Sequence, residues 1–120
     1  MMIFLSGSAP PADQIRDQIR GLIAAGQLAS HERLPSVRQL AHDLGLASGT
    51  VAKAYRALEQ EGLLVTRTGA GTRVSPAATT THRAVLQDAR ALVNTSLRHH
   101  TSLEETIRII RAVWPHQRTD

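Results

Sequence analysis

Residues 34–74 read LPSVRQLAHDLGLASGTVAKAYRALEQEGLLVTRTGAGTRV, and their punctuation decides the fold. Ser36 followed three residues later by Gln39 is a capping box, in which hydroxyl and amide each satisfy an orphan backbone N–H at a helix start. Val37, Leu40, Ala41 and Leu44 then recur at helical spacing, and Gly45 ends the helix. The next helix covers about 48–61, with Val51, Ala54, Tyr55 and Leu58 inward and Gly62 as its stop. Their connection, GLAS, is short and starts on glycine, as in a helix-turn-helix. LLVTR and RVS then form two short strands around TGAGT. A phosphate-cradling loop would read GxxxxGK[ST] between a strand and a helix. Here the second glycine follows too soon, lysine is absent, and Val74-Ser75-Pro76 opens no helix, so the glycines mark a hairpin tip.

Upstream, Pro10-Pro11 ends an extended arm, and Ile15, Ile19, Leu22 and Ile23 form one apolar stripe of a helix over about 13–25. Arg16, Asp17 and Arg20 take its other faces, and Gly26 stops it. Helix, helix, turn, helix and hairpin is the order of a winged helix-turn-helix. The predicted fold is mostly α with a small β-hairpin: a winged helix-turn-helix over residues 1–76, then a two-helix C-terminal segment over 77–120. Residues 76–81, PAATTT, read as the linker.

The 120 residues suit one ordinary domain with an appendage, and a hydrophobic share of 42% suffices for a core. Phe, Trp and Tyr occur once each, so aliphatic side chains fill it. Cysteine is absent, which removes disulfides and thiolate metal sites. No apolar run approaches the roughly 18 residues of a membrane span, and residues 1–5 are too short for the apolar region of a signal peptide. The expected location is cytoplasmic, with no membrane partner.

A formal charge of +4 is by itself weak evidence for nucleic acid. The excess is local, however: from Arg33 to Arg73 six basic residues face Asp43, Glu59 and Glu61. Burying the apolar stripe of the second helix-turn-helix helix leaves Ser48, Gly49, Ala52, Lys53 and Arg56 outside. A small, hydroxylated first turn allows close approach of backbone to DNA, while Lys53 and Arg56 reach phosphates. Arg38 is placed to fork onto O6 and N7 of guanine. Arg67 and Arg73 flank the hairpin tip as a wing lying on the duplex backbone would need, and glycine at the tip leaves no side chain in the way. The alternative is that Gly69 and Gly71 supply only positive φ and the arginines are solvated.

These linked motifs resemble the DNA-binding domain of the GntR family of bacterial transcription regulators: LPS-x-R-x-LA, TV-x-x-AY-x-x-LE-x-x-G and R-x-G-x-GT, within residues 8–76. The resemblance implies that Arg38 contacts bases, that Ser36 and Thr50 contact phosphate, and that Gly69, beside Thr68, brings the wing tip to the minor groove. Ala47 stands where the family often has a capping Asn or Ser, which leaves Ser48 as a rival cap. Gly49 replaces a commonly polar residue, Arg73 an aromatic or aliphatic one, and Pro11-Ala12 an Ile-Tyr pair. The short tail is similar to that of the YtrA-like subfamily, where it serves dimerisation. The partners implied are double-stranded operator DNA and a second copy of the chain, with an unidentified small-molecule effector as a third. No cofactor is implied.

The tail itself reads as two helices. Val85/Leu86, Ala89, Leu92/Val93 and Leu97 keep the helical period over about 83–98. Ser102 with Glu105, or Thr101 with Glu104, caps the next helix, whose stripe is Leu103, Ile107, Ile110 and Val113/Trp114 before Pro115. These stripes either fold back as a monomeric core or, as favoured here, pair Leu92, Val93, Leu97, Leu103, Ile107, Ile110 and Trp114 with a second chain in a four-helix arrangement. His31-Glu32 fails HExxH at Pro35, and the adjacent His99-His100 diverge at a turn, so no metal site is assigned. No nucleophile–base pair or carboxylate pair stands out, so no catalysis is expected. The expected function is a homodimeric, sequence-specific repressor. A ligand- or metal-responsive sensor and a protein-interaction module on a winged fold are the alternatives.

Overall fold

The computed structural model describes residues 1–78 and 81–115; Thr79 and Thr80 of the expected linker lie outside them. The chain divides into two compact units, Met1–Thr81 and His82–Asp120. The first contains α1 (Pro11–Ala24), α2 (Val37–Leu44), α3 (Ser48–Gln60), β1 (Leu64–Arg67) and β2 (Gly71–Val74); the second contains α4 (Arg83–Arg98) and α5 (Leu103–Val113). The fold is therefore mostly helical with a small antiparallel hairpin, as the periodicity predicts.

In the first unit α1 and α2 both pack on α3, and β1 follows α3 directly. The four inward residues read for α3, Val51, Ala54, Tyr55 and Leu58, are all buried. Ile15, Ile19 and Ile23 of α1 and Leu40 and Ala41 of α2 meet them, while Leu22, Val37 and Leu44 pack at the edge. Leu28, Leu34, Leu64 and Val74 close the core from the loops and the hairpin. Full burial of each such aliphatic side chain contributes about 1.5–3 kcal/mol, which is how a core with one aromatic ring holds. Helix α1 begins at Pro11, two residues before the expected start, because proline at the first helical position sacrifices no hydrogen bond. The arm before it is tied to α1 by two glutamines one turn apart. Gln18 bonds both the N–H and the carbonyl of Phe4 (2.9 and 2.7 Å), and Gln14 bonds the Ser6 N–H and the Ala9 carbonyl (2.9 and 2.7 Å).

Two expectations need correction. Both capping boxes form only their hydroxyl half. Ser36 accepts from the Gln39 N–H at 3.0 Å and Ser102 from the Glu105 N–H at 3.1 Å. The Gln39 amide turns instead to Asp43 (2.7 Å) and the Glu105 carboxylate to Arg108 (2.7 Å), because a charge-assisted partner one turn away outcompetes a backbone N–H. Ser102, not Thr101, is thus the cap of α5. At α3, Ser48 is not a cap either: Ala47 holds that position with no side-chain hydrogen bond.

The hairpin has a third edge that the sequence reading lacks. Residues 31–34 run antiparallel to β2, with Leu34 N–H donating to Thr72 O (2.8 Å), Val74 N–H to Glu32 O (2.9 Å) and His31 N–H to Val74 O (3.0 Å). The linker boundary also moves. Ala78 packs on the core and the Thr81 N–H donates to Ala24 O (2.8 Å), so Ala78 and Thr81 lie with the first unit.

Within the second unit α4 and α5 meet at their connecting turn. The buried Thr106 hydroxyl lies 3.1 Å from that of Ser96 and 2.8 Å from the Ser102 carbonyl. The apolar residues stay outside: Leu92, Val93, Leu97, Leu103, Ile107, Ile110 and Trp114 are each 38–69% exposed. Among the described residues, no helix is long and apolar enough to cross a membrane.

Candidate nucleic-acid interface

The start of α2 is held from two sides. Ser36 caps it, and the buried Tyr55 hydroxyl of α3 donates to the Pro35 carbonyl at 2.7 Å. Arg38, on the first turn of α2, is exposed beside this anchored end. Helix α2 stops at Gly45, whose φ of +66° lets the Leu46 N–H return to Ala41 O (2.9 Å). Three residues, Gly45, Leu46 and Ala47, therefore separate α2 from α3.

On α3 the structure leaves Ser48, Gly49, Lys53 and Arg56 exposed and Thr50 half-exposed. With alanine as its cap, the first turn of α3 presents its N–H groups without a side-chain acceptor. This end of the helix carries the positive pole of its dipole and suits an anion. At its other end Arg20 of α1 grips Glu61 through both carboxylate oxygens (2.7 and 2.8 Å), which raises the guanidinium further above its ordinary value. The pair is more than a third exposed, so its contribution to stability is below about 1 kcal/mol and its main effect is alignment. Burial likewise raises the ionisation of Tyr55 well above its ordinary value, keeping the phenol a donor.

The wing pairs Leu64 with Val74, Val65 with Arg73, Thr66 with Thr72 and Arg67 with Gly71. Leu64, Val74 and Leu34 enter the core, and Thr66 accepts from Thr72 (2.9 Å) while donating to Glu59 of α3 (2.5 Å). That contact fixes the wing against α3. At the tip the Ala70 N–H returns to Arg67 O (3.0 Å), with Gly69 at φ +81° in the third position of the turn. Only a type II turn combines that bond with a positive φ at this position alone, so glycine belongs there on backbone grounds. Thr68 is exposed at the tip. Arg67 and Arg73 lie on the outer sheet face, and Arg73 donates to the His31 carbonyl (3.1 Å), away from the tip.

Electrostatics sorts these cations. Of the eight Lys/Arg in residues 1–76, Arg16 and Arg20 on α1 have carboxylate partners, with shortest contacts of 3.3 and 2.7 Å. Arg33, Arg38, Lys53, Arg56, Arg67 and Arg73 have none within 4.0 Å among the described residues. Three groups in this set-up escaped the sequence reading: Arg33, the Tyr55–Pro35 bond and the Thr66–Glu59 bond. The alternation of Glu32, Arg33 and Leu34 was the available signal for the extra strand, and it is too short to be read alone.

A family model described as "Bacterial regulatory proteins, gntR family" matches residues 11–74. The chain belongs to the GntR family. Among curated relatives, this GntR-family chain is 41% identical over 75 residues to the HTH-type transcriptional regulator Rv1152 of Mycobacterium tuberculosis, covering 62% of each chain. It is 42% identical over 74 residues to the HTH-type transcriptional repressor YtrA of Bacillus subtilis, covering 62% of this chain and 57% of the relative. The match thus spans less than two thirds of either relative. A solved structure of YtrA from Sulfolobus acidocaldarius, a GntR-family transcription factor, is 34% identical with a TM-score of 0.54, over 81% of this chain and 96% of that one. The AraR DNA-binding domain in complex with operator ORX1 superposes with a TM-score of 0.56 at 25% identity, over 62% of this chain and 96% of that one. The fold and family are those of DNA-binding transcription regulators.

Proposed function

We propose that this GntR-family regulator is a homodimeric repressor of YtrA-like type that binds a pseudo-palindromic operator and occludes a promoter. The observation that carries the reading is the sorting of charge. Two cations of the first unit are neutralised on α1, and six are left without carboxylates on the segment that contains α2, α3 and the wing. Cations concentrated on one segment without carboxylates make a local positive field that attracts a polyanion, and duplex DNA is such a polyanion. Arg38 reads a base, Ser36 and Thr50 hold phosphates, and Ser48 and Gly49 face the groove. Lys53, Arg56, Arg67, Thr68 and Arg73 lie along the backbone, and Gly69 approaches the minor groove. The likeness to the Bacillus repressor and to the operator-bound AraR domain supports this assignment.

The tail supplies the dimer in this reading. The large apolar side chains Leu92, Val93 and Leu97 of α4, Leu103, Ile107 and Ile110 of α5, and Trp114 after it are exposed, and a second copy offers an identical stripe. Two winged domains then read two half-sites whose spacing follows the dimer's two-fold symmetry, about 10 bp or a multiple of it. The test is selection of bound fragments from the DNA flanking the gene, followed by gel shift with full and half sites. A single preferred inverted repeat bound by two chains supports the proposal. Equal affinity for all fragments, or none, refutes it.

A further inference from the structure

The outer face of the wing carries more charge than its two sequence-visible arginines. Residues directly opposite in an antiparallel pair share a face, and so do residues two apart along a strand. By the observed register Val65, Arg67, Gly71 and Arg73 lie on one face, and the bridge between Arg33 and Arg73 adds Arg33 to it. Three arginines thus share the outer face of the two-stranded hairpin and the segment bridged to its edge. Like charges directly opposite one another are destabilising.

The two opposed arginines splay apart. Arg73 turns to the His31 carbonyl, while Arg33 crosses diagonally over Gly71. A Cβ at Gly71 would lie 2.9 Å from Arg33 Nε and 3.1 Å from its Nη2. The bare surface of Gly71 accommodates this crossing, and its φ of +75° separately favours glycine there. The crossing carries the Arg33 guanidinium to the cross-strand partner of Arg67, next to the tip, where no carboxylate of the described residues lies within 4.0 Å of either. Among the described residues no ion pair offsets that charge.

We propose that Arg33 is a DNA-contacting residue that, with Arg67, forms a phosphodiester-binding face on the outer side of the wing. The inference rests on the DNA-binding reading above and adds to it a residue from the strand that precedes α2. The ligand is the sugar-phosphate backbone, because the pair lies on the outer sheet face of the wing rather than on a groove-entering helix, and its forked donors match phosphate oxygens. Its contribution is therefore independent of base sequence. The free protein carries the repulsion, and the duplex relieves it.

The experiment uses the full chain and a mixed-sequence 30-bp duplex, with anisotropy titrations from 50 to 200 mM salt. Each phosphate contact contributes about 0.9 to the slope of log K against log salt. Arg33→Gln is expected to make the slope shallower by about 0.9 per chain bound. The parent's advantage then shrinks about 3.5-fold across that fourfold salt range. Arg33→Lys is expected to keep most of the slope, and Arg16→Gln, on ion-paired α1, to leave it unchanged. The thermal midpoint of free Arg33→Gln is expected to equal or exceed the parent's. An unchanged slope in Arg33→Gln overturns the inference, and a lowered midpoint alongside it makes Arg33 a packing residue over Gly71. If Arg67→Gln alone flattens the slope, DNA binding by the wing stands and the role of Arg33 falls. If the parent shows no salt-dependent duplex binding, the DNA reading falls first.

Discussion

Replacing Tyr55 by phenylalanine tests how α3 holds the start of α2. The substitution removes one oxygen from a side chain that is 2% exposed, and with it the 2.7 Å bond to the Pro35 carbonyl. A hydrogen bond of this kind contributes about 1 kcal/mol net. Pro35 is half-buried and the bond part-buried, so the loss is set at that net value rather than at the larger cost of a sealed orphan. For a unit the size of Met1–Thr81 that loss corresponds to a midpoint lower by about 4–8 °C at neutral pH. Burial also raises the phenol's ionisation above 10.0 in the folded state. The contribution is complete below pH 10, where both states hold the proton. Above it the unfolded chain loses the proton first and so binds fewer protons. Stability then falls by up to about 1.4 kcal/mol per pH unit until the folded state also ionises. Tyr55→Phe lacks this loss, so the stability gap between the two proteins should close about one unit above pH 10. Tyr55 is the one tyrosine of the chain, so phenolate absorbance reports it without ambiguity. Denaturant melts at pH 7 and at pH 11, with absorbance titration of the folded protein, decide the matter. Phenolate appearing in folded protein with a midpoint near pH 10, or a stability gap that ignores pH, refutes the account.

Arg38→Ala is expected to remove about 1–3 kcal/mol of discrimination, measured as a larger loss on the selected operator than on random DNA. Equal losses on both would make Arg38 a phosphate contact. Gly69→Val forces a β-branched residue into φ +81°, a strain of at least about 1–2 kcal/mol. It should weaken operator binding in gel shift while light scattering still finds the parent's assembly. Gly69→Asn tolerates the turn, so its residual loss isolates the close approach to DNA. Ending the chain after Thr81 keeps the Ala24 bond and should leave a folded monomer with much weaker binding to the full operator. Ile107→Asp should act similarly, because an unpaired carboxylate in an apolar interface is costly. A truncated chain that still dimerises and binds as tightly removes the tail from the mechanism.

Local chemistry determined most of the first unit. Helix periodicity, glycine stops and the hydroxyl caps are short-range effects, and a reader of Ile15, Ile19, Ile23, Ser36, Gly45 and Leu58 can place α1, α2 and α3 without coordinates. The hairpin follows from Gly69 and Gly71 in the same way, since glycine accepts a positive φ without a Cβ clash. What sequence could not supply was the choice among rival local partners. Gln39 and Glu105 each had a backbone N–H and a charged neighbour within reach, and only folded geometry selected Asp43 and Arg108. The third edge of the wing depends on residues 31–34 meeting residues 72–74 across some forty positions, a pairing with no local signature. The charge pattern is of the same kind. Fourteen cations are visible in the composition, but which of them lack a carboxylate is a fact of distance. Arg20 is neutralised by Glu61, forty-one residues away, while Arg33 is carried over Gly71 to the wing tip and meets no acid there. Periodicity places a side chain on a face; only tertiary packing brings a second face within the few ångströms at which Coulomb and hydrogen-bond energies act.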